Sequence, residues 1–545
     1  MEETRPVSTR RELGILLATR LLRGAGLDWY EQGDVWHRVA AHRSTSDTPT
    51  LPGLSRAVGA LITAADDAPG SPLHTRPAWR SAFAHTGRRL ARLAHSGDLQ
   101  RGLRAVLAHH LLFLFNRIGI PGTEQHHLAA AAHSVFREDH HMSSAPVTGS
   151  EDHDADRLRA ALADHIRARG TFRTAAVEQA FRSVPRHLFL PEVDAATAYA
   201  PRPVVTKRDA DGAAVSSASS PNLVAAMLEL LDVRPGQRVL EIGAATGINA
   251  ALLAEVVGET GAVSTVEIDA DLTERAQRAL VSAGYGRVVV HCGDGALGHP
   301  ESAPFDRIIV TAGAWDVPPA WWQQLVPGGR LVVPVRLHGS GLTRVLPFDR
   351  DRDAATMTAR EALVCGFVPM RGIDDHPDDV VRLARDVLLA VDRADGPDAQ
   401  ALANVLTYEP SSAWTGVVVG HDDEAEHLDL WLATTTSDLG FGRLRVGPDA
   451  RGAGAADPAL RWAGASLYLN GSLAYVVVRP HDERSDELGI VAHGPESAGL
   501  IERLRSALDE WARRRPTQPM VTAHSNPVCD VAGIRRQHSR LVVRW

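Results

Sequence analysis

The chain of 545 residues is poor in several things that would point to familiar classes of protein. It has only three cysteines, Cys292, Cys365 and Cys529, too far apart to staple a disulfide framework or to supply a Cys-rich metal site. That scarcity fits a reducing compartment, and the expected location is the cytoplasm. Basic charge is not in excess: the formal net charge is -8, so no positive field argues for nucleic acid or for an anionic membrane. No apolar run reaches the length of a membrane span, and residues 1–11 are polar, without the apolar core of a signal peptide. No histidine, serine and acid fall in the order of a hydrolase triad, and no nucleophile elbow is visible. What remains is a 44% hydrophobic chain, long enough for about three ordinary domains.

The organising stretch runs from Arg238 to Asp269. Val239, Leu240 and Ile242 form a short apolar run, as in a strand buried on both faces. Gly243, Ala244, Ala245, Thr246 and Gly247 follow as a turn of small residues, and Ala250 to Ala254 then repeat as a helix should. Gly258 and Gly261 stop that helix, and a second β-branched run, Val263 to Val266, leads to Glu267. Small residues let a ligand approach the backbone, and a helix amino terminus offers unpaired N–H groups. An acid at the end of the second strand can accept both hydroxyls of a ribose, and its distance from the turn is that of a βαβ unit.

Further along, Val288–Val290 reads as a third strand followed by Asp294 and Gly295, where the aspartate can accept the exocyclic amine of an adenine. Phe305–Val310 reads as a fourth strand, left through Thr311, Ala312 and Gly313. Trp322 to Pro334 reads as a helix end, a Pro-Gly-Gly turn and another strand. No lysine follows the first turn, which excludes a triphosphate-binding P-loop.

This order resembles the class I S-adenosylmethionine methyltransferases, with the turn facing the methionine part of the cofactor. The flanking motifs are similar to those of protein-L-isoaspartate O-methyltransferases: Val184-Pro185-Arg186-His187-Leu188-Phe189, Ser219-Ser220-Pro221-Asn222, Val310-Thr311-Ala312-Gly313-Ala314, Gln324-Leu325-Val326-Pro327-Gly328-Gly329 and Cys365-Gly366-Phe367-Val368-Pro369-Met370. Two positions depart from that pattern: Ala245 replaces a middle glycine, and Asn222 replaces an aromatic residue or histidine. The resemblance implies an α/β core of the Rossmann-like, doubly wound kind over residues 153–372. It implies S-adenosylmethionine as cofactor and S-adenosylhomocysteine as product. The cofactor candidates are Glu241, Ile242, Gly243, Ala244, Ala245, Thr246, Gly247, Glu267, Ile268, Asp294, Gly295 and Thr311. Glu241 either braces the turn or reaches the methionine amine, and Thr246 either contacts the cofactor or caps the following helix. Ser219, with Ser217 and Ser220 beside it, is the candidate hydroxyl for the substrate carboxylate. A carboxylate is nucleophilic at neutral pH, so the enzyme must desolvate and align it and needs no strong base.

Residues 1–142 read as a mostly helical domain, richest in helical periodicity from Leu103 to Ile118. The stretch His109–Ile120 resembles the carboxy-terminal end of lantibiotic dehydratases and thiopeptide-type biosynthesis proteins. The pairs His109-His110, His126-His127 and His140-His141 read as helix-surface residues, not as metal ligands, because neighbours on a helix point apart. A small, acidic linker is expected at 143–152, with Ser143 to Asp156 lacking a core of its own. Tyr199 to Ser220 reads as a loop over the active-site mouth. Residues 373–545 read as an α+β accessory domain: helical periodicity in Val380–Val391, short strands including Leu428–Leu432, and one long helix from Ser497 to Arg514.

The whole layout resembles the FxLD-type methyltransferases of lanthipeptide gene clusters. That implies esterification of an aspartate in a ribosomally made, already cyclised precursor peptide, leading through succinimide to isoaspartate. General repair of isoaspartyl proteins is the alternative, and a non-catalytic peptide-binding scaffold is a third. Neither a metal, a nucleic acid nor a membrane is expected as a partner.

Overall fold

The computed structural model describes residues 150–545, except 211, 339–341, 353–354, 377–378, 392–398 and 526–531. The helical reading of residues 1–142, its histidine pairs and the first part of the linker lie outside these. Residues 159–192 with 204–545 form one compact unit, and the described residues 150–158 and 193–203 fall outside it.

Among the described residues, three helices of nine or more residues precede the central sheet. Helix α1 spans Ser150–Ala168, so Ser150 to Asp156 is helical where a linker was expected. Helix α2 (Ala175–Ser183) is capped by Thr174, whose side chain accepts from Val177 N. Helix α3 (Pro221–Leu231) begins with proline at a tolerated position and keeps Val224, Ala225, Met227, Leu228, Leu230 and Leu231 buried. Its carboxy end is held by two arginines: Arg307 Nε donates to Leu231 O at 2.9 Å, and Arg330 Nη1 donates to Leu230 O at 2.9 Å. Midway, Glu229 accepts from the N–H groups of Arg173 and Thr174 at 3.0 and 3.1 Å, which ties α3 to the start of α2.

The segment expected to be a loop between Tyr199 and Ser220 is instead largely a hairpin. Strand β1 (Val204–Arg208) pairs antiparallel with β2 (Ala214–Ala218). The turn is closed by Asp209 Oδ1, which accepts from Ala213 N at 2.8 Å, and by Gly212 at φ +82°. The β-branched residues Val204, Val205, Thr206 and Val215 outweigh the polar composition.

The central sheet has eleven strands. Its methyltransferase part follows the motifs in order: β3 (Arg238–Ile242), helix α4 (Ile248–Val257), β4 (Ala262–Glu267), α5 (Ala270–Ser282), β5 (Val289–Cys292), β6 (Phe305–Val310), α6 (Pro319–Gln324) and β7 (Leu325–Val335). Strands β3, β4, β5, β6 and β7 are parallel to their neighbours, with β4 on one side of β3 and β6 on the other. That reversal of direction is the switch point at which such sheets bind ligands. The fold is that of a class I S-adenosylmethionine methyltransferase. Pro327, Gly328 and Gly329 do not form a separate turn: they lie inside β7, at a bulge where the register against β6 shifts.

Antiparallel strands then extend the sheet: β8 (Thr343–Arg350), β9 (Thr356–Ala359) and, pairing β8, β10 (Leu363–Cys365). The residues beyond 373 do not all stand apart from this core. Strands β11 (Asp379–Ala384), β12 (Val387–Val391), β13 (Ser411–Gly420), β14 (Gly440–Val446), β15 (Ala465–Leu469), β16 (Ser472–Pro480) and β17 (Ser485–His493) build a second, seven-stranded antiparallel sheet. Helix α7 (Leu428–Thr435) precedes β14, and α8 (Ser497–Arg514) packs Leu500, Leu504, Leu508 and Trp511 into the core beside this sheet. The chain then returns to the first sheet. Strand β18 (Met520–His524) pairs with β9, and β20 (Arg540–Arg544), itself paired with β19 (Ile534–Arg535), pairs with β18. Val521, Ala523 and Leu541 join the methyltransferase core.

Two expectations in this region are corrected. Val380–Val391 is the β11–β12 hairpin, not a helix, turning at Asp386 with φ +63°; its β-branched residues alternate across the sheet. Leu428–Leu432 is helical, not a strand, because a run of five residues is too short for its period to tell the two apart.

Candidate active site

Parallel pairing puts the carboxyl ends of β3, β4, β5 and β6 in one row, with Ile242 opposite Val266 and Val310, and Glu267 opposite Cys292. The turn 243–247, Glu267, Ile268, Asp294, Gly295 and Thr311 all leave strands at that row. The structure therefore brings the cofactor candidates to one edge, although they are widely separated in sequence.

The turn is built without room to spare. Gly243 has φ +99°, and a Cβ there would lie 2.6 Å from Thr311 Oγ1. Thr311 Oγ1 in turn donates to Gly243 O at 2.7 Å and lies 3.0 Å from Ile242 O, which fixes the start of the turn. Gly247, at φ +85°, is the N-cap of α4 and makes no side-chain cap bond, so Thr246 does not cap that helix. Ala245 has φ +46°, a left-handed backbone at the position where the resembling family carries glycine. Ile242 and Ala244 are buried and can meet a ligand only through their backbone.

Glu267 is held by the turn it serves. Its Oε2 accepts from Ala245 N at 2.8 Å, and its Oε1 accepts from Asp269 N at 3.1 Å. A carboxylate has about four acceptor positions, so lone pairs remain for two hydroxyls. Asp294 is half-buried; its Oδ1 accepts from Ala296 N at 2.9 Å and its Oδ2 from Ile373 N at 2.7 Å. A Cβ on Gly295 would lie 2.5 Å from Ile242 Cγ2, so the backbone there runs close under the β3 end. Ile268 is 37% exposed and offers an apolar face beside Glu267.

Glu241 is fully buried, and its oxygens accept from Asn249 Nδ2 at 2.8 Å and Thr265 Oγ1 at 2.5 Å, which braces β3 against α4 and β4. Burial pushes its carboxyl up to about 7, with the nearby Glu267 charge adding to the effect.

On the substrate side, Ser219 and Ser220 lie between β2 and α3, and Ser217 lies on β2; all three are half-buried. The Ser219 carbonyl accepts from Arg186 Nη2 at 3.2 Å. Ser216 is turned inward and shares a 2.9 Å hydrogen bond with Thr206 across the hairpin. Nothing in the Val-Pro-Arg pattern itself pointed to this contact of Arg186. The ion pairs of Lys207 and Arg371 with Asp269 had no signal in the sequence at all. Among the described residues no group of histidine, cysteine and acid could hold a metal.

The residues present fit S-adenosylmethionine. A turn of small residues with glycine at both ends, the acid Glu267 braced by that turn, the apolar Ile268 beside it and a second acid, Asp294, stand together at a switch point.

Residues 157–374 match the family model for protein-L-isoaspartate(D-aspartate) O-methyltransferase. The protein-L-isoaspartate O-methyltransferase of Methanopyrus kandleri is 41% identical over 217 residues, which is 40% of this chain and 92% of that protein. The second such enzyme of Archaeoglobus fulgidus is 38% identical over 219 residues, 40% of this chain and 95% of that protein. A solved protein-L-isoaspartate O-methyltransferase structure aligns with 23% identity over 70% of this chain and 99% of its own, with a TM-score of 0.40.

Proposed function

Since the chain belongs to the protein-L-isoaspartate O-methyltransferase family and is an S-adenosylmethionine-dependent methyltransferase, we propose that it methylates an aspartate carboxylate in a ribosomally made precursor peptide. In this reading Glu267 accepts the ribose hydroxyls, Asp294 the adenine amine, and residues 243–247 line the methionine part. When bound, the cofactor supplies an electrophilic methyl group on a sulfonium. Ser219, flanked by Ser217 and Ser220, would donate to one oxygen of the substrate carboxylate and orient it, leaving the other oxygen free to take up that methyl group. A hydroxyl suits this better than a lysine or arginine, because it orients the carboxylate without neutralising it. Losing one hydrogen bond to a charged group costs about 1.5–3 kcal/mol, roughly ten- to a hundredfold in kcat/KM.

The resulting ester is open to attack by the next backbone nitrogen. Methanol leaves, a succinimide forms, and water opens it to isoaspartate. The observation that carries the peptide-specific reading is the accessory sheet. It is tied to the methyltransferase sheet by the buried Arg344–Asp429 ion pair and by strands β18–β20, so a surface beyond the minimal catalytic core is held in fixed relation to it. General repair of isoaspartyl proteins is the second reading, favoured by the 41% identity to the Methanopyrus enzyme.

The test is to give the purified protein S-adenosylmethionine with either the cyclised precursor peptide or a short isoaspartyl peptide. Mass spectrometry should show a gained methylene and then a lost water on the precursor alone. Efficient methylation of the short isoaspartyl peptide, with the precursor unchanged, would establish repair instead.

A further inference from the structure

The turn between β19 and β20 reaches the same sheet edge as the cofactor candidates. Asp316, in the loop after β6, is 2% exposed. Its Oδ1 accepts from Ser539 Oγ at 2.5 Å and from Val317 N at 2.7 Å, and its Oδ2 accepts from His538 N at 2.6 Å. Beside it, the Arg536 guanidinium lies 3.3 Å from the centre of the Trp315 ring and donates to Leu337 O at 2.7 Å. Trp315 also stacks on His376, with ring centres 3.8 Å apart and planes 6° from parallel. The turn is thus locked to the loop that leaves β6, and the His538 ring is left with one task.

That task is visible in its contact. His538 Nε2 stands 3.2 Å from Asp374 Oδ1. Asp374 belongs to the short segment after Met370 that passes over Asp294. Ile373 N donates to Asp294 Oδ2, and Gly372, at φ +111°, lies so close that a Cβ would be 2.2 Å from the same oxygen. At its other end the segment is pinned by Arg371, whose Nη2 reaches Asp269 Oδ2 at 2.6 Å. Burial keeps the Asp374 side chain at 7% exposure, and its Oδ2 is buried without a partner among the described residues. A carboxylate so placed holds its position only through the group on its other oxygen.

We infer that His538 is a positioning residue of the cofactor pocket: through Asp374 it holds residues 371–374 against Asp294. A histidine from the far end of the chain thereby sets the geometry of the acid that meets adenine. The inference rests on Asp294 being that acceptor.

The test uses the full chain with His538→Ala, Asp374→Asn and the double variant. Calorimetry reads S-adenosylhomocysteine affinity, steady-state kinetics read KM for S-adenosylmethionine and kcat at saturation, and thermal melts read stability. His538→Ala should weaken cofactor affinity roughly five- to tenfold with kcat nearly unchanged, and the double variant should be no worse than either single one. His538→Lys should restore most of the affinity, because its ammonium can donate to the same Asp374 oxygen. Ser539→Ala, which leaves the His538 ring in place, should lower the melting temperature and leave affinity alone. A His538→Ala variant that melts earlier but binds as tightly overturns the inference, as do single effects that multiply in the double variant. If His538→Ala does not fold, Asp374→Asn takes its place in all three measurements: weakened affinity supports the inference, and unchanged affinity overturns it. Asp294→Asn is the control: normal affinity there overturns the adenine assignment itself, whereas weakened affinity there with normal affinity in His538→Ala overturns only the role of His538.

Discussion

Lys207 on the β1–β2 hairpin places its Nζ 3.1 Å from Asp269 Oδ2, and Asp269 also binds Arg371. Asp269 gives its own backbone N–H to Glu267. One aspartate therefore joins the hairpin that leads to Ser219, the acid Glu267, and the segment that passes over Asp294. The Arg371 guanidinium and the Lys207 ammonium hold its carboxyl below the ordinary aspartate value. Exposed pairs contribute only about 0.2–1 kcal/mol each, so Asp269→Asn, which removes both, is expected to lower kcat/KM roughly three- to tenfold. Lys207→Met is expected to raise KM for the peptide more than KM for the cofactor. Both differences should shrink at high salt, where exposed charges are screened. Steady-state kinetics at two ionic strengths check this.

The turn makes an unusual prediction about Ala245. Its left-handed φ of +46° costs an L-residue about 1–2 kcal/mol, while glycine gives back roughly 0.4–1 kcal/mol through the freer unfolded chain. Ala245→Gly is therefore expected to raise the melting temperature slightly and leave methyl transfer intact. Gly243→Ala should do the reverse, because its Cβ would meet Thr311 Oγ1 at 2.6 Å. Parallel melts and activity measurements on the two variants separate strain from crowding.

How much of this was legible depended on the kind of signal. Strands β3, β4 and β6 and helices α3, α4 and α8 follow from apolar runs or period and from the residues that punctuate them. The row of cofactor candidates follows too, because a βαβ unit fixes where its turn and its acid emerge. The failures share a cause. The periods of Val380–Val391 and Leu428–Leu432 are ambiguous, so tertiary packing decides. The hairpin at 204–218 was masked by its serines. The return of β18–β20 to the first sheet, and with it His538 beside Asp374, joins residues far apart in sequence through pairings that no local pattern encodes.

The seam between the two sheets carries a third prediction. Arg344 and Asp429 are both fully buried and lie 2.6 Å apart. Arg344 Nε also donates to His427 Nδ1 at 3.1 Å. Burial, with Arg344 beside it, pushes His427 down to about 3, so the ring is neutral and can accept that bond. Removing one partner strands a buried charge, and Asp429→Ala is expected to destabilise the protein by about 3–5 kcal/mol. Replacing both, as Arg344→Met with Asp429→Leu, should recover most of that loss. Denaturant titration of the single and double variants checks it; a double variant as unstable as Asp429→Ala would mean that the loss comes from packing and not from the stranded charge.

Glu241 makes the stability of the turn depend on pH in a direction opposite to that of most carboxylates. Its folded pKa, pushed up to about 7, lies above the roughly 4.3 of an exposed glutamate. Between those values the folded chain binds the proton and the unfolded chain does not, so the stabilisation present below about pH 4.5 is lost as pH rises through about 7. Each unit of difference is worth about 1.4 kcal/mol, which makes the loss on the order of 3 kcal/mol. Glu241→Gln keeps a neutral group of the same shape between Asn249 and Thr265 and cannot ionise. Relative to the unmodified protein, this variant should therefore gain stability from about pH 4.5 to about pH 7 and level off above that. Urea titrations across that range decide the matter: a stability difference that stays constant with pH would show that Glu241 is ionised in the folded protein as it is in the unfolded one, and that its carboxyl is not pushed up.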